Sequence, residues 1–238
     1  MINIAINGFG RIGRTFFRVL FNNPNYRIVV INDLSKIELL AHLLKYDSIH
    51  GKFPHQVSYA GNNLIVADQK ITVINNYKKN NYPWSNFSID LVVESTGKCL
   101  TKKLAYNHIS SGAKRVILTA PPKEKGIKTV VLGVNDNEID NSDIILSNAS
   151  CTTNCAAPMI KTLNDNFEIE KAYVTTIHSY TTDQNLHDSN HHDLRRARSA
   201  PNSIIPTTTG AAKALSNIFP NISIGGCGIR VPVANGSL

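Results

Sequence analysis

Covalent catalysis needs a nucleophile, and Cys151 is placed to be one. It stands in residues 147–155 (SNASCTTNC), between an apolar run at 144–146 that predicts a buried strand and residues 156–163, which predict a helix. The candidate caps of this helix are Ser150, Thr152, Thr153 and Asn154. The N–H groups and the positive dipole end of the helix would stabilise a thiolate, so we predict that Cys151 is a nucleophile. A buried structural cysteine is the alternative.

A thiolate nucleophile needs a base, which is usually distant in sequence and near in space. Residues 172–178 (AYVTTIH) are rich in β-branched side chains and predict a strand that ends on His178. If this strand lies beside the one that leads to Cys151, the imidazole can act as a general base. The alternative is a histidine that is simply hydrogen-bonded in the core.

The remaining histidines and cysteines could in principle bind zinc. The candidates would be Cys151, Cys155, His187, His191 and His192. Their spacing matches no compact zinc-ligand pattern, so we predict no metal site.

Residues 7–14 (NGFGRIGR) carry a glycine motif of the G-x-G-x-x-G type. An apolar strand is predicted at 2–6, before the motif. A helix is predicted after it, with an apolar face formed by Ile12, Phe16, Val19 and Leu20. A second strand at 27–32 leads to Asp33, about twenty residues after the last glycine of the motif. This context is that of a dinucleotide-binding strand–turn–helix unit.

Each residue of this motif has a distinct predicted role. Gly8 permits the tight turn, Gly10 lets the backbone approach a pyrophosphate, and Gly13 allows the helix to pack closely on the strand. The pyrophosphate would bind at the helix N-terminus. Asp33 can accept hydrogen bonds from both ribose hydroxyls and would repel a 2′-phosphate, which favours NAD over NADP.

Further elements follow at the spacing of a doubly wound α/β sheet. Helices are predicted at 37–44 and 101–111, and strands at 57–60, 64–66, 71–74, 89–94 and 116–119. Ligands of open α/β sheets bind beyond the carboxyl ends of the strands. The candidate cofactor-binding residues at such ends are Ser95, Thr96, Gly97 and Thr119.

Two later segments combine guanidinium and hydroxyl groups, which suits phosphate binding. They are residues 193–198 (DLRRAR) and 204–213 (IIPTTTGAAK). A solvated basic surface or a nucleic-acid contact is the alternative. No aromatic residues interleave with the arginines, so nucleic acid is not the favoured partner.

The composition gives less specific information about the protein than these motifs do. A chain of 238 residues, 42% of them hydrophobic, suffices for one large domain or two smaller ones. No apolar run is long enough to span a bilayer, and the N-terminus lacks the features of a signal peptide. Four cysteines without regular spacing fit a reducing compartment, so we predict a cytoplasmic protein with no membrane partner. The net charge of +8 comes from scattered lysines and identifies no partner.

Six segments together resemble phosphorylating glyceraldehyde-3-phosphate dehydrogenase of the bacterial type. They are residues 7–14, 147–155, 175–183, 193–198, 204–213 and 230–232. The resemblance implies an α/β fold with a Rossmann-type NAD-binding domain, residues 1–148, followed by an α+β catalytic domain, residues 149–238. It also implies that Cys151 forms a thiohemiacetal with D-glyceraldehyde 3-phosphate while His178 acts as base. Inorganic phosphate would then cleave the resulting thioester to 1,3-bisphosphoglycerate.

The resemblance implies further site residues and an assembly. The positions for the phosphate and hydroxyl of the substrate are Thr181, Asp183 and Arg230. Those for the attacking phosphate are Ser150, Thr152, Arg195, Thr209 and Gly210. Arg11, Ile12 and Asp33 match NAD contacts. The full-length family member would be a homotetramer.

The sequence departs from the family pattern at residues 230–238 (RVPVANGSL), because family members continue further. We therefore expect a C-terminally incomplete catalytic domain, either a fragment of a longer enzyme or a truncated product. Three alternatives stay open. One is erythrose-4-phosphate dehydrogenase, although residues 179–181 and 206–210 favour the glyceraldehyde enzyme. The others are a non-catalytic binding protein, for example one that binds RNA, and an inactive product.

Overall fold

The computed structural model describes residues 1–76 and 81–238. Over these residues the chain divides into two compact units. The first consists of Met1–Lys128 and Asp140–Asn148, and the second of Thr129–Ile139 and Ala149–Leu238. The first holds most of a largely parallel sheet, and the second holds a smaller sheet, which confirms the predicted mixed α/β class.

The larger sheet follows the predicted order of elements closely. Its strands are β1 (Ile2–Asn7), β2 (Tyr26–Asn32), β3 (Val57–Ala60), β4 (Asn63–Val66), β5 (Gln69–Ile74), β6 (Leu91–Glu94), β7 (Arg115–Leu118), β8 (Lys128–Thr129) and β9 (Ile145–Ser147). The helices between them are α1 (Arg11–Leu20), α2 (Ile37–Lys45) and α3 (Lys102–Ser110). The ends of the predicted strands and helices shift by no more than about two residues.

Within the described residues, the strand order of this sheet is β3-β4-β5-β2-β1-β6-β7-β9-β8. β1 pairs in parallel with β2 on one side and with β6 on the other, and the parallel pairing continues through β7 to β9. The hairpins β3–β4 and β4–β5 are antiparallel. Because parallel strands end at the same edge, the residues after β1, β2 and β6 meet there.

The apolar face predicted for α1 is partly wrong. Phe17 is fully buried, and Phe16 and Leu20 are partly buried beside it, whereas Val19 is 79% exposed and Ile12 is half-exposed. The helix is rotated so that Gly13 and Phe17, four residues apart, face the sheet. The close approach at Gly13 fixes this rotation, because a Cβ there would lie 2.2 Å from the Gly8 oxygen and 3.1 Å from the Ile6 side chain.

The second unit contains a three-stranded sheet within residues 171–231 and two helices packed on it. Its elements are α4 (Cys151–Phe167), β10 (Lys171–Ser179), β11 (Ile205–Thr207), α5 (Ala211–Ile218) and β12 (Ser223–Val231). The strand order is β10-β12-β11, with β10 and β12 parallel and β11 antiparallel to β12. Ala157, Ile160 and Leu215 are buried between the helices and the sheet.

Helix α4 begins five residues earlier than the sequence predicts. Ser150 is its N-cap, because the Ser150 Oγ accepts the Thr153 N–H at 3.1 Å. The other cap candidates, Thr152, Thr153 and Asn154, lie inside the helix. No helix of the described residues is long and apolar enough to cross a membrane.

Candidate active site

Cys151 is the first residue of α4, so its thiol lies at a helix N-terminus. The chain enters through Ala149, which has a φ of +58°, a left-handed conformation that is uncommon for alanine. The Ser150 hydroxyl then caps the helix, as described above. This turn leaves Cys151 exposed at the end of the helix where the positive dipole and free N–H groups favour an anion.

The imidazole of His178 contacts this thiol. His178 lies near the end of β10, and its Nε2 is 3.1 Å from the Sγ of Cys151. Its Nδ1 is 2.8 Å from the backbone oxygen of Ser179. The two side chains that the sequence predicts as nucleophile and base are therefore within hydrogen-bond distance inside one structural unit.

Arg230 lies against the other side of the same imidazole. The parallel register of β10 and β12 pairs His178 with Arg230. The Arg230 Nη1 donates to the backbone oxygen of Ser179 at 2.8 Å and is 2.9 Å from the His178 Nδ1. Burial, assisted by the like charge of Arg196, lowers the pKa of Arg230, while the charge of Cys151 acts in the opposite direction. An anion bound here would relieve the repulsion between the two guanidinium groups.

The two neighbouring arginines, Arg195 and Arg196, have different partners. Arg195 makes two hydrogen bonds to the carboxylate of Asp193, at 2.9 and 3.0 Å, and its hydrogen bond lowers the pKa of Asp193 to about 2. Arg196 pairs with Asp183 and donates to the Thr207 Oγ1 at 2.8 and 3.0 Å. The predicted phosphate ligand Arg195 is therefore bonded to Asp193. Arg196, which lies in the predicted phosphate-binding segment 193–198 but was given no role of its own, contacts the predicted substrate residue Asp183.

Other predicted phosphate residues lie at helix starts and turns. Thr152 is buried in the first turn of α4, and Gly210 is the N-cap of α5. The Thr209 Oγ1 accepts the Ala211 N–H at 3.2 Å, and the backbone oxygen of Thr181 accepts the Gln184 N–H at 2.9 Å. These hydroxyls and amides are of the type that holds phosphate oxygens.

A cavity of about 480 Å³ opens at the carboxyl ends of β1, β2 and β6. Its volume is typical of small-molecule sites. Five predicted cofactor residues line it, namely Gly8, Gly10, Asp33, Ser95 and Thr96. Seven others also line it and were missed, namely Asn7, Asn32, Leu34, Asn76, Tyr82, Lys98 and Cys99. Asn7 and Asn32 are the last residues of β1 and β2. The rule that ligands bind at the carboxyl ends of the strands, which identified Ser95, could therefore have identified them as well. The predicted residues that do not line the cavity are Arg11, Ile12, Gly13, Gly97 and Thr119.

The three glycines of the turn are required for different reasons. A Cβ on Gly13 would lie 2.2 Å from the backbone oxygen of Gly8, so only glycine fits where α1 packs on the turn. Gly8 has a φ of +92°, and a Cβ on it would meet the backbone of residues 95 and 96 at 2.9 Å. A Cβ on Gly10 would meet no atom within 4 Å, and Gly10 lines the cavity. Gly10 therefore leaves room at the cavity for a ligand.

Asp33 connects the end of β2 to the glycine turn. Its Oδ2 accepts the Phe9 N–H at 2.7 Å, and its Oδ1 accepts the Ser35 N–H at 2.9 Å. The carboxylate is thus held at the cavity, where its remaining lone pairs can accept from ribose hydroxyls. The Arg11 guanidinium pairs with Asp47.

Three buried groups of metal-ligand type lie near this cavity. The ligand atoms of Glu94, Cys99 and His108 are within 4.8 Å of one another. Both imidazole nitrogens of His108 already have partners, since Nδ1 accepts from Trp84 at 3.0 Å and Nε2 is 3.0 Å from a Glu94 oxygen. The cluster is therefore a hydrogen-bonded network, in which a metal ion would have to displace a proton.

Two family models match the chain. Residues 2–102 match "Glyceraldehyde 3-phosphate dehydrogenase, NAD binding domain", and residues 150–238 match "Glyceraldehyde 3-phosphate dehydrogenase, C-terminal domain".

Curated relatives cover both regions. Glyceraldehyde-3-phosphate dehydrogenase 2 of Bacillus subtilis (strain 168) is 49% identical over 240 residues, which are 100% of this chain and 70% of the relative. The enzyme of Geobacillus stearothermophilus is 48% identical, with 100% of this chain and 71% of the relative covered. That of Mycoplasma pneumoniae is 52% identical over 214 residues, 90% of this chain and 64% of the relative.

Proposed function

The chain belongs to the glyceraldehyde 3-phosphate dehydrogenase family, and on that premise we propose that it oxidises D-glyceraldehyde 3-phosphate to 1,3-bisphosphoglycerate. The reaction is NAD-dependent and consumes inorganic phosphate. The observation that carries the proposal is the 3.1 Å contact between the Cys151 Sγ and the His178 Nε2. The names of the relatives support glyceraldehyde 3-phosphate as substrate rather than erythrose 4-phosphate.

The cavity of the first unit fits NAD. The open space at Gly10 suits a pyrophosphate, and the Asp33 carboxylate suits a ribose with two free hydroxyls. Backbone N–H groups at the start of α1 would bind the pyrophosphate oxygens. NAD, when bound, supplies the acceptor for the hydride that leaves the substrate carbon.

Cys151 and His178 carry the covalent chemistry. The His178 Nε2 takes the proton of the thiol, and the thiolate attacks the aldehyde carbon to form a thiohemiacetal. The protonated Nε2 then lies where it can donate to the developing oxyanion. Loss of hydride leaves a thioester on Cys151. Phosphate attacks its carbonyl carbon and the C–S bond breaks, which releases the acyl phosphate and restores the thiolate.

Arg230 is the residue best placed to hold an anionic substrate group. Its charge lies beside the imidazole, and its pKa is lowered by burial and by Arg196, so a bound phosphate would compensate two guanidinium groups. We assign Thr181 and Asp183, together with Arg230, to the phosphate and hydroxyl groups of the substrate. Ser150, Thr152, Thr209 and Gly210 would bind the attacking phosphate. Arg195 would join them only after releasing Asp193.

The test is a phosphate-dependence experiment. Without inorganic phosphate, glyceraldehyde 3-phosphate should produce a burst of NADH that stops at about one equivalent per reactive thiol, because the thioester accumulates on Cys151. Added phosphate should turn the burst into steady turnover. The proposal fails if protein whose Cys151 thiol has been shown to be reactive by thiol titration gives no burst of NADH. The same assay with erythrose 4-phosphate as substrate measures the preference between the two aldehydes.

Assembly and compartment complete the proposal. For the full-length protein we propose a homotetramer, to which Tyr173 and Ile177, large side chains that stay exposed on one face of β10, offer a contact surface. Sedimentation of the purified chain measures the assembly state. A cytoplasmic location is supported by the four cysteines, which form no disulfide bond within the described residues.

A further inference from the structure

Glu94 is a carboxylate buried at the end of β6, with 1% of its surface exposed. Its Oε1 accepts the backbone N–H of Thr96 at 2.8 Å and also the Thr96 hydroxyl. Its Oε2 accepts the Asn7 Nδ2 at 2.5 Å and lies 3.0 Å from the His108 Nε2. Four donors therefore converge on one buried carboxylate.

The proton position on His108 follows from Trp84. The indole N–H of Trp84 can only donate, and it lies 3.0 Å from the His108 Nδ1. Nδ1 is therefore the acceptor, and the proton of the neutral ring is on Nε2, where it points at Glu94. Trp84 thus fixes His108 as a donor to the carboxylate.

The network continues to the wall of the cavity. The Asn7 Oδ1 accepts the Asn32 Nδ2 at 2.6 Å, and the Asn32 Oδ1 accepts the Asn76 N–H at 2.8 Å. Asn7, Asn32 and Thr96 line the cavity, whereas Glu94 does not. One carboxylate therefore joins the carboxyl ends of β1, β2 and β6 from behind the surface that a ligand would touch.

We propose that Glu94 is a positioning residue of the NAD pocket. Its carboxylate holds Asn7 and Thr96 in their binding positions through hydrogen bonds, and His108 donates a further hydrogen bond that keeps the carboxylate in place. The inference rests on the proposed function, because it assigns the cavity to NAD. Glu94 acts on the cavity mainly through Thr96, because the carboxylate accepts hydrogen bonds from both the amide and the hydroxyl of that residue. The Thr96 side chain in turn packs against the glycine turn, where a Cβ on Gly8 would clash.

A carboxylate is needed because a carboxamide cannot accept from all four donors. In Glu94→Gln, the NH₂ group must face either Thr96 or the pair formed by Asn7 and His108. In the first orientation it opposes the backbone N–H of Thr96, which can only donate. In the second it opposes Asn7 and also His108, whose Nε2 must stay protonated while Trp84 donates to Nδ1. Either orientation leaves buried donors facing each other, which loosens the residues that line the cavity.

The experiment measures NAD binding by calorimetry in the wild-type chain, in Glu94→Gln and in Asp90→Asn. Asp90 is the matched control, since it loses the same charge on the same unit but pairs with Lys114 away from the cavity. We expect the Kd for NAD to rise at least about tenfold in Glu94→Gln and to stay within about twofold in Asp90→Asn. Trp84 is the only tryptophan, so its single indole N–H cross-peak in ¹⁵N NMR reports the network. That cross-peak should shift in Glu94→Gln only.

A second pair of variants tests the proposal if Glu94→Gln does not fold. His108→Gln places an amide donor at the position of Nε2, whereas His108→Leu places none there. We expect near-normal NAD binding in the glutamine variant and weaker binding in the leucine variant. Equal NAD affinity in wild type and Glu94→Gln, or in the two His108 variants, would overturn the inference alone. No NAD binding by the wild-type chain would overturn the proposed function and the inference together.

Discussion

The Sγ of Cys151 lies 3.1 Å from the Nε2 of His178, although the two residues are 27 positions apart. The contact forms because α4 begins at Cys151 and β10 delivers His178 to the same end of the second unit. Nucleophile and base are thus positioned by regular elements rather than by long loops, which favours a fixed geometry.

The base role of His178 is tested by His178→Asn. Loss of the proton acceptor at Nε2 should slow the reaction of Cys151 with iodoacetamide at pH 7 by roughly 100-fold, the usual size of a general-base contribution. Stopped-flow alkylation followed by peptide mass spectrometry measures the rate at Cys151 itself. His187→Gln is the control, because His187 is an exposed histidine of the same unit. An unchanged rate in His178→Asn would mean that the imidazole does not activate the thiol.

Arg230→Met separates phosphate binding from support of the imidazole. If the guanidinium binds the substrate's phosphate, kcat/KM for glyceraldehyde 3-phosphate should fall by about a hundredfold or more, the loss of a charge-assisted bidentate pair. The kcat/KM for glyceraldehyde, the aldehyde that lacks the 3-phosphate group, should change much less. Equal losses for both substrates would instead assign Arg230 to holding His178, which it also contacts. Arg198→Met controls for charge, since Arg198 is exposed and pairs with Asp188.

The glycine turn predicts opposite effects at two positions. Gly13→Ala forces a Cβ against the Gly8 oxygen, so the free energy of unfolding should fall by about 2 kcal/mol or more. Gly10→Ala meets no atom, so its melting temperature should be unchanged or slightly higher, while NAD binding weakens by about tenfold. Thermal denaturation and calorimetry measure the two effects. Normal NAD affinity in Gly10→Ala would place the pyrophosphate elsewhere.

Asp33→Asn should change coenzyme preference. The variant keeps an acceptor for the Phe9 N–H of the glycine turn and loses the one for the Ser35 N–H, which lies after β2. It also removes the charge that repels a 2′-phosphate. We expect the ratio of kcat/KM for NAD over NADP to fall by about tenfold or more. Asp47→Asn is the comparison, because Asp47 pairs with Arg11 and does not line the cavity. An unchanged ratio would show that another residue sets the preference.

The buried Glu94 also predicts a pH dependence of stability. Desolvation raises its pKa, but hydrogen bonds from His108, Thr96 and Asn7 outweigh burial, and the pKa lies below its ordinary value. A carboxylate with a lowered folded-state pKa stabilises the fold above its unfolded pKa, about 4.3, and loses this contribution as the pH falls through the folded value. The stability difference between wild type and Glu94→Gln should therefore be constant near neutral pH and shrink below about pH 4. Urea denaturation across this range measures the difference, and a constant value would contradict it.

Much of this protein could be predicted from local sequence. The glycines at 8, 10 and 13 and the strand before them indicate a dinucleotide turn, because close packing excludes a side chain at 8 and 13 and Gly10 leaves room for a ligand. The central parallel strands of the larger sheet contain apolar runs, and the end of β6 identifies Ser95 and Thr96 as cavity residues. Cys151 was predicted at a helix start from hydroxyl-bearing neighbours, one of which is the cap.

Tertiary structure alone decided which polar groups pair. Arg195 and Arg196 are adjacent and chemically equivalent in sequence, yet the fold pairs one with Asp193 and the other with Asp183. The face of α1 that is buried, which includes Phe17, depends on the close contact of Gly13 with the glycine turn. The spacing of apolar residues in the sequence does not reveal that contact. The partners of Glu94 come from one other strand, a helix and its own following loop. Sequence therefore determined the elements and the reactive residue types, because these depend on neighbouring positions. Their partners depend on contacts between distant segments, which only the folded chain brings together.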